Sequence, residues 1–439
     1  MPYFKDLMSE LNRLQLWMDL AKEQGADLGP IEAQMHRFVE RTIAEVRSLP
    51  PQPGYTYEEP DGLDQIKALR PDGPRRLPLT LTDDELHDRI LGAWLGRCAG
   101  CMLGAPVECR ERSFIEAWAK KLGQPYPLSD YWADYPGVTH IHYSEPIDNF
   151  IKGSIDHVGP DDDLAYTVLG LLILEEYGLD FTSEEVGRAW VKYLPMACSA
   201  EEVALENLKK GLIPPETALA DNPFVEWIGA DIRSDPWGYA APGLPELAAE
   251  FGYRDARVSH TGNGIYGEMY FSAAIAAAFS VKTAREAVQI GLTEIPAKSR
   301  MAETVDETID WVDHDRDWDR TWSRIDERYR GMSAVHTLNN AALTVAAILY
   351  ADGDFERAIA LAVMGGLDTD CTGATTGSIM GALIGAGSLP ARWIEPFNDR
   401  LTTYLTGQQE HRISDLARRT ARIAKECRER FGDCHEARD

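Results

Sequence analysis

Basic charge is what this sequence has least of for its size. Against 71 Asp and Glu stand 44 Lys and Arg, a formal net charge of −27 over 439 residues. That sign excludes a nucleic-acid groove or an anionic membrane surface as the main partner, because both demand a basic field. It leaves a phosphate-bearing small ligand open, since helix N-termini and bound cations hold phosphate locally. Cysteine is also scarce: seven, an odd number with no tight framework, so a reduced, cytoplasmic chain is the expectation. The lone Cys98-x-x-Cys101 pair has no partner pair at zinc-site spacing and reads as small apolar residues on a packed helix. The start, Met1-Pro2-Tyr3-Phe4-Lys5-Asp6, lacks the charged-then-apolar pattern of an export signal. No apolar run approaches the roughly 20 residues of a membrane span. Phe271 to Val281 comes nearest, and reads as a buried helix. Alternating strand patterns are nearly absent, which excludes a sheet-based fold.

What is present is helical periodicity. Residues 1–49 read as a helical hairpin, with Leu7, Leu11, Leu14 and Met18 on one stripe, Ile31, Met35, Phe38 and Val39 on the next, and Gly25 to Pro30 as the turn. Such a stripe needs a partner surface, either the main body or another subunit. Residues 50–80 carry seven prolines and read as an extended connector. The body, 81–439, opens on the capping box Thr82-Asp83-Asp84-Glu85. Helical runs follow at about 162–178, 183–195, 200–212, 263–281, 284–293, 298–312, 336–352, 354–365, 370–387 and 408–431, with an irregular insertion at 109–158. The expected fold class is all-α, one compact domain from about residue 80 onward.

Three features inside that body carry chemistry. Gly92, Gly96, Gly100 and Gly104 recur every fourth position before Glu108, and Gly373, Gly377, Gly381 and Gly385 do so after Asp368-Thr369-Asp370. Each glycine inside a helix costs roughly 1 kcal/mol against alanine, so two ladders in register predict two helices in close approach. Asp161-Asp162-Asp163 heads a third apolar run. Taken alone, each acidic cluster reads as a helix cap. Taken together they concentrate five carboxylates whose repulsion calls for cations, and oxygen-only ligands select magnesium, with manganese as the alternative. Glu108 reads either as a solvated loop residue or as a functional acid. His260-Thr261-Gly262-Asn263-Gly264-Ile265-Tyr266-Gly267 is a glycine-rich turn entering a helix, suited to cradle an anion or serving only as a turn.

The ordered set Gly92-x3-Gly96-x3-Gly100-x3-Gly104-x-Pro106-x-Glu108, Asp161 to Asp163, Gly262-Asn263-Gly264, and Gly366-x-Asp368-Thr369-Asp370 with Ala374 and Gly377 resembles the ADP-ribosylglycohydrolase family over roughly residues 83–395. The resemblance implies a compact orthogonal helical domain of that type, here with an N-terminal hairpin extension. It also implies two magnesium (or manganese) ions and hydrolysis at the anomeric carbon of an ADP-ribosyl or related ribosyl compound. Residue by residue, it implies metal ligation by Asp162, Asp163, Asp368 and Asp370. Glu108 matches the glutamate beside the metals, and Gly262, Asn263 and Gly264 match the loop that receives the diphosphate, with His260 and Tyr266 flanking it. Leu164 and Cys371 replace the threonines that usually follow the two aspartate motifs, and Cys101 stands where the family often has Asp. Asp161 and Thr372 are the substitute ligands to consider, and Glu108 and Asp163 the candidate catalytic acids or bases.

Three other readings compete. A hydrolase of the same fold can act on a free nucleoside or small N-riboside. A member that has lost catalysis can bind ADP-ribose only. Asp368-x-Asp370-x-Thr372 also spells the nucleophile motif of haloacid-dehalogenase-like phosphotransferases, but that motif follows a hydrophobic strand, and here an alanine-rich helix precedes it. The partners expected are an ADP-ribosylated substrate or small riboside, and a second subunit through the hairpin, with no nucleic acid and no membrane.

Overall fold

Three helices begin on the same side-chain device, and it sets the helical register of the chain. Thr82 with Glu85, Thr182 with Glu185, and Thr283 with Glu286 each form a reciprocal capping box, satisfying amides that a helix start otherwise leaves unpaired. In this computed structural model, which describes residues 7–135, 137 and 139–432, helix follows helix, with the longest break between Leu122 and Asp162. Among the described residues, strand is confined to two antiparallel hairpins, Ile141–His142 with Glu145–Pro146 and Arg400–Thr402 with Glu410–Arg412. The fold is all-α. The opening residues 1–6 lie outside the described set.

The chain divides into two units, Met1–Thr56 and Tyr57–Asp439. In the first, helices Leu7–Glu23 and Gly29–Arg47 contain no buried residue, and Leu7, Trp17, Phe38 and Val46 are each more than half exposed. Residues 57–80, read from sequence as part of the connector, belong to the larger unit. There Leu63–Leu69 is a helix, and Arg70 pairs with Glu246 at 2.5 Å and Glu294 at 2.6 Å.

The centre of the larger unit is a pair of glycine helices, Asp83–Gly104 and Thr369–Ile384, with Asn263–Ala278, Thr337–Ala351, Phe355–Met364 and Ile413–Phe431 packed around them. A Cβ added at Gly92, Gly96 or Gly100 would strike the carbonyl of Gly381, Gly377 or Gly373 respectively, inside 3.0 Å in each case. The pairing runs antiparallel. At its last step Gly104 meets the backbone of Thr369 and Asp370, and the Thr369 hydroxyl donates to the Gly104 carbonyl at 2.8 Å. The ladder therefore carries the Glu108 end of one helix to the Asp368–Asp370 start of the other. Gly385 ends the ladder: a Cβ added at Gly92 would also meet its carbonyl carbon at 2.7 Å, while one added at Gly385 itself would face Asp88.

Thr369–Ile384 is buried from Thr369 to Leu383, and Asn263–Ala278 is buried throughout. Helices apolar all round belong to an interior, which is why the acidic mouths stand at the end of a dry core.

Several sequence expectations need correction. The helix expected over 408–431 begins at Ile413, because Glu410–Arg412 pairs with Arg400–Thr402. The insertion 109–158 is not irregular throughout: Arg112–Leu122 is an amphipathic helix closed by Gly123 at φ +66. Helices Pro245–Ala256 and Trp318–Arg328 were not foreseen. Among the described residues Asp83–Val107, not Phe271–Val281, comes nearest to the length and hydropathy of a membrane span, and 89% of its most apolar 18-residue window is buried within the protein.

Candidate metal and active site

Each acidic residue reaches the site from a helix end. Asp161 caps Asp162–Tyr177, its Oδ1 accepting the Asp163 amide at 2.9 Å. Its Oδ2 meets His142 Nε2, also at 2.9 Å. Burial lowers His142, but the hydrogen bond and charge of Asp161, with Glu108 beyond, outweigh it and hold the imidazole above its ordinary pKa. Asp368 precedes Thr369–Ile384, its amide bonded to Asn340 Oδ1 at 3.1 Å. Leu367 before it adopts φ +66 and accepts the Cys109 amide at 2.9 Å. That bond ties the two acidic mouths together through backbone.

A cavity of about 180 Å³ opens between these ends, lined by Glu108, Asp162, Asp368, Asp370 and Cys371, and by Tyr143, Tyr166, Cys198 and Trp227 on its other sides. Ligand atoms of Glu108, Asp368 and Asp370 lie within 4.8 Å of one another, as do those of Asp163, Asp370 and Cys371, and those of Asp161 to Asp163. Asp368 Oδ1 and Asp370 Oδ1 are buried and have no hydrogen-bond partner. Burial first, then the charges of Glu108 and Asp368, pushes Asp370 well above the carboxylate range. Burial, then Asp161 and Asp163, does the same to Asp162. Glu108, at the more open edge, is raised to about 7 by desolvation and by Asp368 and Asp161. Oxygen ligands so crowded and so poorly compensated fit a hard divalent cation, which removes both penalties at once.

The other predicted residues are placed differently. Asp163 Oδ1 pairs with Arg97 at 2.9 Å, and Asp163 Oδ2 accepts the Cys371 thiol at 3.0 Å. Burial pushes that thiol well up, so it remains an S–H donor and not a thiolate ligand. Cys371 thus gives Asp163 a donor where the family resemblance led one to look for a hydroxyl. Thr372 directs its hydroxyl to the Thr369 carbonyl at 3.4 Å and does not line the cavity. Leu164 is buried in the core.

The Gly262 turn is engaged by the protein's own acids. Its amide donates to Asp61 Oδ1 at 2.7 Å, Asn263 Nδ2 donates to Glu59 at 2.8 Å and Glu226 at 3.0 Å, and the Tyr266 hydroxyl donates to the Pro60 carbonyl at 2.6 Å. Gly264 packs against the Val225 carbonyl and the His260 ring. His260 is buried beside Ser259, and desolvation holds it well below its ordinary pKa.

Sequence reasoning missed Arg97, which also pairs with Asp235 at 2.6 Å and donates to Thr167 and to the Asp163 and Ile232 carbonyls. A lone arginine inside a glycine ladder was the available signal. Asp231, buried with Oδ1 unpartnered, and the tyrosines 143 and 166 gave none.

The family's sequence profile, described as ADP-ribosylglycohydrolase, matches residues 82–430. The chain belongs to the ADP-ribosylglycohydrolase family. A solved structure described as an ADP-ribosylglycohydrolase-related protein complex superposes with TM-score 0.52 at 20% identity, over 78% of this chain and 99% of that one. At that identity the likeness concerns the fold. A search of curated proteins gave no match. Family membership makes a hydrolase of the ADP-ribosylglycohydrolase type the coarse assignment.

Proposed function

We propose that this protein is a metal-dependent hydrolase that cleaves the glycosidic bond at the anomeric carbon of a ribosyl compound. The observation that carries the reading is the convergence of Glu108, Asp162, Asp368 and Asp370 on one cavity, with Asp368 Oδ1 and Asp370 Oδ1 buried and unpartnered. Those four residues would hold the cation, magnesium by the hardness of the ligand set and two ions by the spread of the clusters. A divalent cation held there supplies Lewis acidity toward ribose hydroxyls and water.

The chain's own groups do the rest. Asp163, with one oxygen on Arg97 and the other on Cys371, is held in place with both oxygens already engaged. Glu108 is the one exposed member of its acidic group, so it is the group that water reaches, to take the proton of attacking water and pass it to the leaving atom. One water is consumed, and the bond from the anomeric carbon to the leaving nitrogen or oxygen breaks through an oxocarbenium-like state. The aromatic wall of Tyr143, Tyr166 and Trp227 limits bulk water around that centre.

The test is ribosyl hydrolysis by the wild type, Asp368→Asn and Asp370→Asn, with magnesium and after exhaustive chelation. Loss of turnover in both variants and on chelation is expected. Full activity in either variant, or in the stripped enzyme, would remove the basis for the reading.

A further inference from the structure

Resting on that hydrolase reading, we propose that the substrate is a compact riboside and not an ADP-ribosyl compound, and that Tyr143 sets the limit. The first observation is size. The acidic cavity holds about 180 Å³, below the roughly 300 to 1,000 Å³ typical of sites for drug-sized ligands. A ribose ring with a small leaving group suits it, and a dinucleotide does not. A separate groove of about 350 Å³, beside Arg112, Trp322 and Tyr329, shares no lining residue with it.

The second observation is how the cavity is closed. Tyr143 sits at the tip of the Ile141–Pro146 hairpin with φ +50, a backbone state that a bulky residue occupies only when its surroundings fix it. Its ring stacks on Tyr404 at 5.2 Å and 18°, and meets His142 edge-on at 4.8 Å. Its hydroxyl lies 3.9 Å from Cys198 Sγ across the mouth. His142 is anchored in turn on Asp161. The hairpin is therefore fastened to the acidic cluster at its base and to the opposite wall at its tip.

The third observation is electrostatic. The turn amides that the family resemblance assigns to a diphosphate already serve acids of the chain: the Gly262 amide donates to Asp61 and the Asn263 amide to Glu226, while the Asn263 side chain donates to Glu59 and Glu226. Arg300 is shared between Glu59 at 3.0 Å and Glu226 at 2.5 Å. A diphosphate brought there meets three carboxylates, with the Arg300 guanidinium and the His336 ring already paired to them, an arrangement that repels it.

Calorimetric titration with 4-nitrophenyl β-D-ribofuranoside, adenosine and ADP-ribose in magnesium, with hydrolysis followed in parallel, tests this. The variants are Tyr143→Gly, which tolerates positive φ without strain, Tyr143→Phe, which keeps the ring, and Trp322→Ala. The wild type and Tyr143→Phe should bind the nitrophenyl riboside about tenfold or more tighter than ADP-ribose, and Tyr143→Gly should shrink that ratio by about tenfold. Equal or tighter binding of ADP-ribose by the wild type overturns the proposal. So does a ratio unmoved by Tyr143→Gly, binding of none of the three ligands, or an ADP-ribose affinity that Trp322→Ala weakens. Hydrolysis reports separately: a riboside bound but never cleaved refutes the hydrolase reading alone, and ADP-ribosyl cleavage with tight ADP-ribose binding refutes the size limit alone.

Discussion

Replacing Gly100 by alanine sets two effects of known sign against each other. On an exposed helix the change stabilises by roughly 0.5 to 1 kcal/mol, because alanine loses less backbone entropy. Here the new methyl points at the Gly373 carbonyl and, at 2.8 Å, the Ala374 nitrogen. Both are helix backbone and cannot rotate aside, so Asp83–Gly104 and Thr369–Ile384 must part. Overpacking of this kind costs about 1 to 3 kcal/mol, and strain against two backbones belongs at the upper end. The net expectation is destabilisation of about 2 to 2.5 kcal/mol for Gly100→Ala and clearly more for Gly100→Leu. For a unit of this size, unfolding entropy near 2 cal/mol/K per residue makes that a fall of roughly 3 °C for alanine. Differential scanning calorimetry, with urea midpoints as a second measure, reads it. Turnover should fall further than stability, because parting the helices moves Glu108 away from Asp370. A melting temperature that stays level or rises in both variants would refute the close-packed pairing.

Three further outcomes follow from the charges. Magnesium should bind with two ions per chain by calorimetry, and a concentration of 100 times its Kd should add about 2.7 kcal/mol per ion, together roughly 7 °C; one ion or none refutes the two-ion reading. Glu108, with a folded pKa raised to about 7, destabilises the metal-stripped fold when charged, so that cost is present above pH 7 and disappears as pH falls toward its ordinary value. Stripped protein should therefore gain stability from pH 8 to pH 5.5, and magnesium should raise the melting temperature more at pH 8; an equal increment at both pH values contradicts this. Glu226 behaves oppositely: burial raises it, but the His336 hydrogen bond, the Arg300 charge and Asn263 together pull it to about 2. Its roughly 3 kcal/mol is present above its unfolded pKa and is lost as pH falls from about 4.5 to 2. Glu226→Gln should flatten that acid limb, and an unchanged limb would exclude the pairing.

The glycine ladders were legible because their period is helical and their cost needs a repayment that only a second backbone supplies. The meeting of Glu108 and Asp370 in one cleft was expected from the two ladders, whereas the residue-by-residue register that sets Gly104 against Thr369 is seen only in the structure. Asp163 was legible as an acid but not as a paired one, since nothing local announces that Arg97, 66 residues earlier, turns inward. The Gly262 turn looked like an empty cradle because Asp61 and Glu59 lie in a proline-rich stretch with no periodicity to place it. Tyr143 was illegible for a similar reason: its role depends on a two-residue strand and a left-handed backbone angle inside a segment that reads as loop.

Arg97 decides how charge is divided across the site. It is fully buried, and its guanidinium faces Asp163 at 2.9 Å and Asp235 at 2.6 Å. With Asp163 compensated in this way, and Asp161 shared with His142, the cavity wall keeps the formal charges of Glu108, Asp162, Asp368 and Asp370. Two divalent cations balance those four charges, which gives the ligand count a reason beyond proximity. Arg97→Met should strand two buried carboxylates, and breaking a buried pair from one side costs about 3 to 5 kcal/mol, roughly 4 to 6 °C here. Arg97→Met with Asp163→Leu should recover part of that loss, because the stranded charge goes with its partner. If Arg97→Met melts with the wild type, the guanidinium does not hold Asp163, and Asp163 returns to the front rank of metal ligands.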